Sequence, residues 1–219
     1  MIRVIRVLVV DDEPMVCAHL RTILGSAGDI EVVDEAHDGA DGVEAAVRSR
    51  PDVVLMDLRM PGVDGLTAIE RISKLPDPPV VVVLTTFDAD QYVLRALRGG
   101  AAGFLVKSTP PEDLIGLIRV AAEGHTVLSP AAARRLIAAS ADSDPSRERA
   151  RRLTGSLTER EIEVLACLGE GLSNAQIGAR LYLSEATVKG YVSRMLVKLD
   201  CANRTQAGLL AHDAGIVSR

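Results

Sequence analysis

At 219 residues and 23.3 kDa, the chain has room for one large domain or two small ones. Apolar residues make up 47% and charged residues 25%, a balance that supports a packed core and excludes whole-chain disorder. The net charge of −5 is uneven. Residues 1–125 hold 12 basic against 20 acidic side chains (−8), residues 126–152 hold 6 against 3 (+3), and residues 153–219 hold 7 against 7. An acidic front and a neutral-to-basic rear suggest two modules with different partners.

Along the front module, short β-branched runs at residues 4–10, 30–33, 53–56, 80–84 and 103–106 alternate with helix-length stretches at 15–27, 40–48, 66–75, 91–98 and 111–123. Fivefold strand–helix alternation predicts a doubly wound, five-stranded parallel sheet covered by helices on both faces, of flavodoxin-like order 2-1-3-4-5. The runs are apolar at nearly every position, as strands buried on both faces must be. Thr109-Pro110-Pro111-Glu112 has capping-box spacing ahead of the fifth helix. Residues 126–153 lose this rhythm: a short Ala/Arg helix at 131–139 leads into a Ser/Asp/Pro/Arg segment that reads as a linker. The rear module, 154–219, carries no strand signal. Capping boxes at Thr158–Glu161 and Ser173–Gln176, an N-cap at Ser184 and a fourth start near Arg204 predict a small all-α domain of four helices.

The longest aliphatic run has five residues, far short of the roughly 20 of a membrane span, and acidic residues begin at Asp11. No membrane partner is therefore expected. Cys17, Cys167 and Cys201 are widely spaced, which argues against a disulfide scaffold or zinc site and suits a reducing, cytoplasmic setting. The four histidines are scattered and suggest no metal site. Aromatics at 2% disfavour base stacking on single strands.

Chemistry concentrates at the strand ends. Asp11 and Asp12 close the first strand and Asp57 the third; in the expected strand order these are neighbours, so three carboxylates meet at the topological switch point. An all-oxygen set of this kind suits Mg2+. Thr85 and Lys107 end the fourth and fifth strands and bring a hydroxyl and an ammonium to the same crevice, a receptor for a phosphoryl group with an aspartate as its acceptor. Any one of these residues alone would be an ordinary turn or cap; five at the correct strand ends make coincidence improbable. The strings Val-Leu-Val-Val-Asp-Asp-Glu-Pro, Pro51-Asp-Val-Val-Leu-Met-Asp57, Leu84-Thr-Thr86 and Gly103-Phe-Leu-Val-Lys107 resemble a response-regulator receiver domain over residues 3–124. The resemblance implies Asp57 as phospho-acceptor, Mg2+ held by Asp11, Asp12, Asp57 and the Arg59 backbone carbonyl, Thr85 and Lys107 on the phosphoryl oxygens, and Thr85 with Phe104 as the switch pair. It implies a sensor histidine kinase as donor. Arg59 and Phe87 fall at positions that vary in such domains.

In the rear module, Val188, Val192, Met195, Leu196 and Leu199 line one face of a helix over 185–199, with Lys189, Gly190, Ser193, Arg194 and Val197 opposite. A shorter helix precedes it across a tight turn, the pattern of a helix-turn-helix whose second helix enters the major groove. A solvated amphipathic helix fits the periodicity equally well, and zero net charge weighs against phosphate binding. The strings Leu157-Thr-Glu-Arg-Glu-Ile-Glu-Val-Leu165, Gly171-Leu-Ser-Asn-Ala-Gln-Ile177 and Leu183-Ser-Glu-Ala-Thr-Val-Lys189 resemble the LuxR-type DNA-binding domain over residues 154–214, and the two modules together resemble the NarL/FixJ class of response regulators. The resemblance implies double-stranded promoter DNA as partner, groove-facing Lys189, Gly190 and Ser193, Thr187 near phosphates, and a homodimer when phosphorylated. Arg194 also reaches base edges or phosphates. Gly190, Tyr191 and Asp200 depart from the usual pattern; a glycine at 190 costs the helix about 1 kcal/mol. The expected function is phosphorylation-controlled transcriptional regulation rather than enzymatic turnover. The alternative is a DNA-binding regulator with an atypical receiver, independent of phosphorylation or controlled by a ligand. A haloacid-type phosphohydrolase needs Asp-x-Asp where this chain has Asp-Asp-Glu.

Overall fold

The computed structural model describes residues 4–86, 92–128, 132 and 144–217. The chain forms two compact units, Met1–Arg135 and Leu136–Arg219.

In the first unit, strands and helices alternate: β1 (Ile5–Val10), α1 (Pro14–Gly25), β2 (Ile30–Ala36), α2 (Gly39–Ser49), β3 (Val53–Met56), α3 (Gly65–Ile72), β4 (Val80–Thr85), α4 (Val93–Gly99), β5 (Gly103–Val106), α5 (Pro111–Ala122) and β6 (Val127–Leu128). The sheet runs β2-β1-β3-β4-β5-β6, and every pairing is parallel. Because strand side chains alternate faces, Val7, Val9, Val53, Leu55, Val82, Leu84 and Leu105 pack in one cluster with Cys17, Leu24 and Ile118 of α1 and α5. Their neighbours Leu8, Val10, Val54, Met56, Val83 and Phe104 are buried as well. Both faces are thus covered, which explains the absence of polar alternation in the strands.

Two details depart from the sequence expectation. A sixth strand pairs its two residues with Gly103 and Phe104. Gly103 permits it: a β-carbon there would lie 2.3 Å from the Val127 side chain. At the start of α5, Thr109 is not the cap. Pro110 takes that position, and the Thr109 hydroxyl donates to the Val106 carbonyl at 2.6 Å. With Thr109 as the cap, Pro111 would stand at the second helical position and offer the threonine side chain no N–H.

The second unit is helical: α6 (Asp144–Thr154), α7 (Glu159–Gly169), α8 (Asn174–Leu181), α9 (Glu185–Lys198) and α10 (Arg204–Asp213). Helix α6 falls inside the segment expected to be a linker. Its arginine-rich sequence has no apolar period, but Ala150 is buried and Leu153 packs on the core of this unit, so tertiary contact stabilises what local pattern does not. The short helix expected over 131–139 lies outside the described residues, apart from helical Ala132. The capping boxes at Thr158 and Ser173 and the Ser184 cap form as expected. The core is built from Val164, Leu165, Leu168, Ile177, Val188, Met195, Leu199, Ala207 and Ala211.

Candidate functional sites

Parallel strands deliver all their carboxyl ends to one edge, and register decides which residues meet there. Val10 pairs with Met56, and the Asp57 amide donates to the Val10 carbonyl at 2.9 Å. Asp11 and Asp57 therefore follow adjacent strands side by side. Carboxylate oxygens of Asp11, Asp12 and Asp57 all lie within 4.8 Å of one another. Asp11 and Asp57 are buried, and Asp12 is the more open member. Lys107 reaches the same point from the end of β5, where its amide donates to the Thr85 carbonyl at 2.8 Å. Its ammonium donates to Asp11 Oδ2 at 2.6 Å and to Asp57 Oδ2 at 2.7 Å.

Each buried carboxylate also holds a backbone N–H. Asp11 Oδ1 accepts from Glu13 at 3.1 Å, and Asp57 Oδ1 accepts from Leu58 at 2.6 Å. These bonds fix the rotamers of both side chains. Burial pushes the Asp11 carboxyl above its ordinary value, against the opposing pull of Lys107 and the Glu13 amide. Burial alone would lower Lys107, but its bonds to Asp11 and Asp57 outweigh that and hold its pKa above the usual lysine value. Three carboxylates facing one ammonium leave net negative charge in a crevice open beside Asp12. That donor set fits a small hard cation.

Thr85 is buried at the end of β4, and among the described residues no hydrogen bond joins its hydroxyl to Asp57. Phe104 is buried at mid-β5, opposite Val83. Arg59 follows β3 with its side chain exposed, and its amide donates to Asp57 Oδ1 at 3.4 Å. Phe87 lies outside the described residues.

Three supporting residues escaped the sequence reading. Cys17 Sγ and His37 Nδ1 both lie on the Asp11 carbonyl, at 3.5 and 3.1 Å. Burial, then the charges of Asp11 and Glu35, raise the Cys17 thiol to about 11, which keeps it protonated and able to donate. Gly65 opens α3 directly against Asp57: a β-carbon there would sit 2.0 Å from the Asp57 carbonyl oxygen. Only the glycine in the Gly62-Val63-Asp64-Gly65 stretch hinted at so close an approach.

In the second unit, α8 and α9 are joined by a turn in which Tyr182 takes the left-handed conformation (φ 57°). Gly178 lets the turn close: a β-carbon there would lie 2.7 Å from the Leu183 carbonyl oxygen. The Ser184 hydroxyl caps α9 by accepting the Thr187 N–H at 3.1 Å, and it lies 2.8 Å from the Thr187 hydroxyl. Val188, Met195 and Leu199 bury the inner face of α9. Thr187, Lys189, Ser193 and Arg194 are exposed, with Gly190 between them. The far end of α9 is anchored by Lys198, whose ammonium donates to both oxygens of buried Glu161 at 2.6 and 2.8 Å. That pair, with the Thr158 amide, holds the Glu161 carboxyl below the ordinary range. Arg204 ties α10 to the Leu172 carbonyl and to Asn174. Asp200 ends α9 in the left-handed conformation (φ 53°).

Comparison with known proteins identifies both domains. Residues 7–119 match the response regulator receiver domain, and residues 155–211 match the bacterial regulatory proteins of the luxR family. The chain is 40% identical over 214 residues to the transcriptional regulatory protein YxjL of Bacillus subtilis, covering 97% of each chain. It is 36% identical to the nitrate/nitrite response regulator NarL of Escherichia coli, covering 96% of each. Among solved structures, the response regulator ChrA of a heme-sensing two-component system is 37% identical, with a TM-score of 0.54 over 97% of this chain and 98% of that one. The chain belongs to the response regulators that join a receiver domain to a LuxR-family DNA-binding domain, and it is a phosphorylation-controlled transcriptional regulator of that family.

Proposed function

We propose that Asp57 is the phospho-acceptor and that a sensor histidine kinase supplies the phosphoryl group. An Asp57 carboxylate oxygen forms the new bond to phosphorus while the phosphorus–nitrogen bond of the kinase's phosphohistidine breaks, and the imidazole leaves with that electron pair. Asp11, Asp12, Asp57 and the Arg59 carbonyl hold Mg2+, which neutralises charge on the phosphoryl oxygens when bound. Lys107 exchanges its contact with Asp57 for a phosphoryl oxygen and remains on Asp11. Thr85 turns its hydroxyl to a second oxygen, and Phe104 repacks behind it. The single observation that carries this reading is the Lys107 ammonium shared between Asp11 and Asp57, a cation already placed where the new charge develops.

The changed receiver favours a homodimer, which sets two α9 helices about 34 Å apart on double-stranded promoter DNA. A coupling of about 1–3 kcal/mol suffices for such control. Thr187, Lys189, Ser193 and Arg194 contact the DNA, with Gly190 at the groove face. Residues 1–125 act as receiver, 126–153 as the connection and 154–219 as the DNA-binding module. The protein works in the cytoplasm; among the described residues, no helix is long and apolar enough to cross a membrane.

Light-scattering mass with beryllofluoride and Mg2+ tests the switch. The parental chain is expected to shift from monomer to dimer, and Asp57→Ala to stay monomeric. An unchanged mass in both proteins, or the same shift in both, overturns it.

A further inference from the structure

On helix α9, Gly190, Tyr191 and Arg194 form one arrangement. Arg194 does not extend freely into solvent. Its guanidinium carbon lies 5.0 Å from the centre of the Tyr191 ring. Tyr191 is itself held, half-buried against the core of its unit. On the other side of Arg194 stands Gly190, one helical turn earlier and on the same flank. A β-carbon built at Gly190 would meet only Arg194 Nη1, at an ordinary contact distance of 3.6 Å. The guanidinium therefore occupies the space into which a longer side chain at 190 would project. No hydrogen bond or ion pair takes its N–H groups among the described residues.

This geometry has a chemical consequence. Stacking on Tyr191 uses the flat face of the guanidinium and leaves the in-plane N–H fork free. The fork matches the O6 and N7 acceptors on the major-groove edge of guanine. A side chain already ordered by an aromatic ring loses less rotamer freedom when it docks than a free arginine. Glycine at 190 then serves as clearance rather than as a lost contact.

We infer that Arg194 reads a guanine in each half-site and that Tyr191 and Gly190 position it. The inference rests on the proposal that α9 enters the major groove.

Site selection from a randomised duplex library, using the full-length chain with beryllofluoride and Mg2+, tests it. The parental chain is expected to enrich sites with guanine at one position of each half-site. Arg194→Ala is expected to lose about tenfold of that one preference and to keep the others. Tyr191→Leu should lose most of the same preference, whereas Tyr191→Phe retains the ring and the preference. Gly190→Val should behave like Arg194→Ala because its methyls displace the guanidinium. Arg194 is exposed, so its replacement leaves folding intact. Weakening of all sites alike in Arg194→Ala would mark a phosphate contact and overturn the inference, as would retention of the guanine. A parental chain that enriches no sequence overturns the DNA-binding reading beneath it as well.

Discussion

The two halves of this molecule organise their working residues in opposite ways. In the receiver, Asp11 and Asp57 are buried and fastened to backbone N–H groups, and half-buried Lys107 pairs with both. In the DNA-binding module, Thr187, Lys189, Ser193 and Arg194 are exposed, and the fastening is done elsewhere, by the Ser184 cap and the Glu161–Lys198 pair at the two ends of the helix. The difference follows from the ligands. A phosphoryl group must be met by charges held away from water, where each is worth more. A groove must be met by a rigid helix whose reaching side chains stay exposed, Arg194 among them even though it stacks on Tyr191. Substitutions in the receiver site should therefore disturb chemistry and stability together, while in the DNA-binding module they should separate.

The largest expected effect is at Lys107. Lys107→Met removes the one ammonium shared by two buried carboxylates. Phosphorylation of Asp57 by acetyl phosphate should fall at least 100-fold, the scale of losing an electrostatic stabiliser. The receiver should lose up to about 3 kcal/mol, because two buried like charges then face each other uncompensated. Mg2+ should restore more stability to this variant than to the parental chain. An equal Mg2+ response in thermal unfolding of the two proteins would show that the carboxylates do not form one cation site.

Gly65 gives the next effect. The β-carbon of Gly65→Ala would lie 2.0 Å from the Asp57 carbonyl oxygen, so the acceptor loop must move. Overpacking of this kind costs about 1–3 kcal/mol. Because the strained atom belongs to the acceptor itself, the phosphorylation rate should drop with stability. A variant that loses stability and keeps its full rate would break the proposed link between loop packing and chemistry.

These two sites show how far sequence carries the argument. Asp11, Asp12, Asp57, Thr85 and Lys107 were legible because alternating elements place strand ends on one edge, and a chain pattern reports strand ends well. What it does not report is pairing across long separations. That Lys107 bonds both aspartates, that His37 and Cys17 share the Asp11 carbonyl, and that Gly65 touches Asp57 all depend on register and loop closure. Strand β6 escaped because two residues carry no period, and α6 escaped because Ala150 and Leu153 earn their helix by tertiary contact. In α9 the departures at Gly190 and Tyr191 look like separate losses in the sequence. The structure joins them to Arg194 as one unit.

Acid behaviour sharpens the contrast between the halves. Glu161 is held below its ordinary 4.5, first by Lys198 and then by the Thr158 amide. Its contribution to stability is therefore present above 4.5 and is lost as pH falls through the lowered folded value. Asp11 is shifted the other way, chiefly by burial, from 3.8 upward. The folded state there binds more protons than the unfolded state, so its contribution to stability declines as pH rises through that window. Glu161→Gln should cost about 1–3 kcal/mol at neutral pH, since the Lys198 partner and a charged cap are both weakened. It should also flatten the acid loss of stability in the second unit. Asp11→Asn should remove a component of the opposite slope from the first. Unfolding curves that change with the same slope in both variants would contradict the assigned causes.

The smallest expected effect is at the end of α9. Asp200 holds a left-handed conformation (φ 53°) that L-residues adopt at a cost, reduced for Asp because its short side chain can bond locally. Glycine relieves that strain but adds freedom to the unfolded chain, and the two terms nearly offset. Asp200→Gly should therefore stabilise the second unit by only about 0.5 kcal/mol. It also withdraws a negative charge from half-buried Cys201, whose thiol is raised to about 11 by burial first and by Asp200 second. The thiol should consequently titrate lower in the variant, while DNA affinity stays unchanged because the site lies beyond the exposed face of α9. If Asp200→Gly instead altered DNA affinity severalfold at constant stability, the end of α9 would belong to the binding surface, and the separation of fastening from contact in this half would fail.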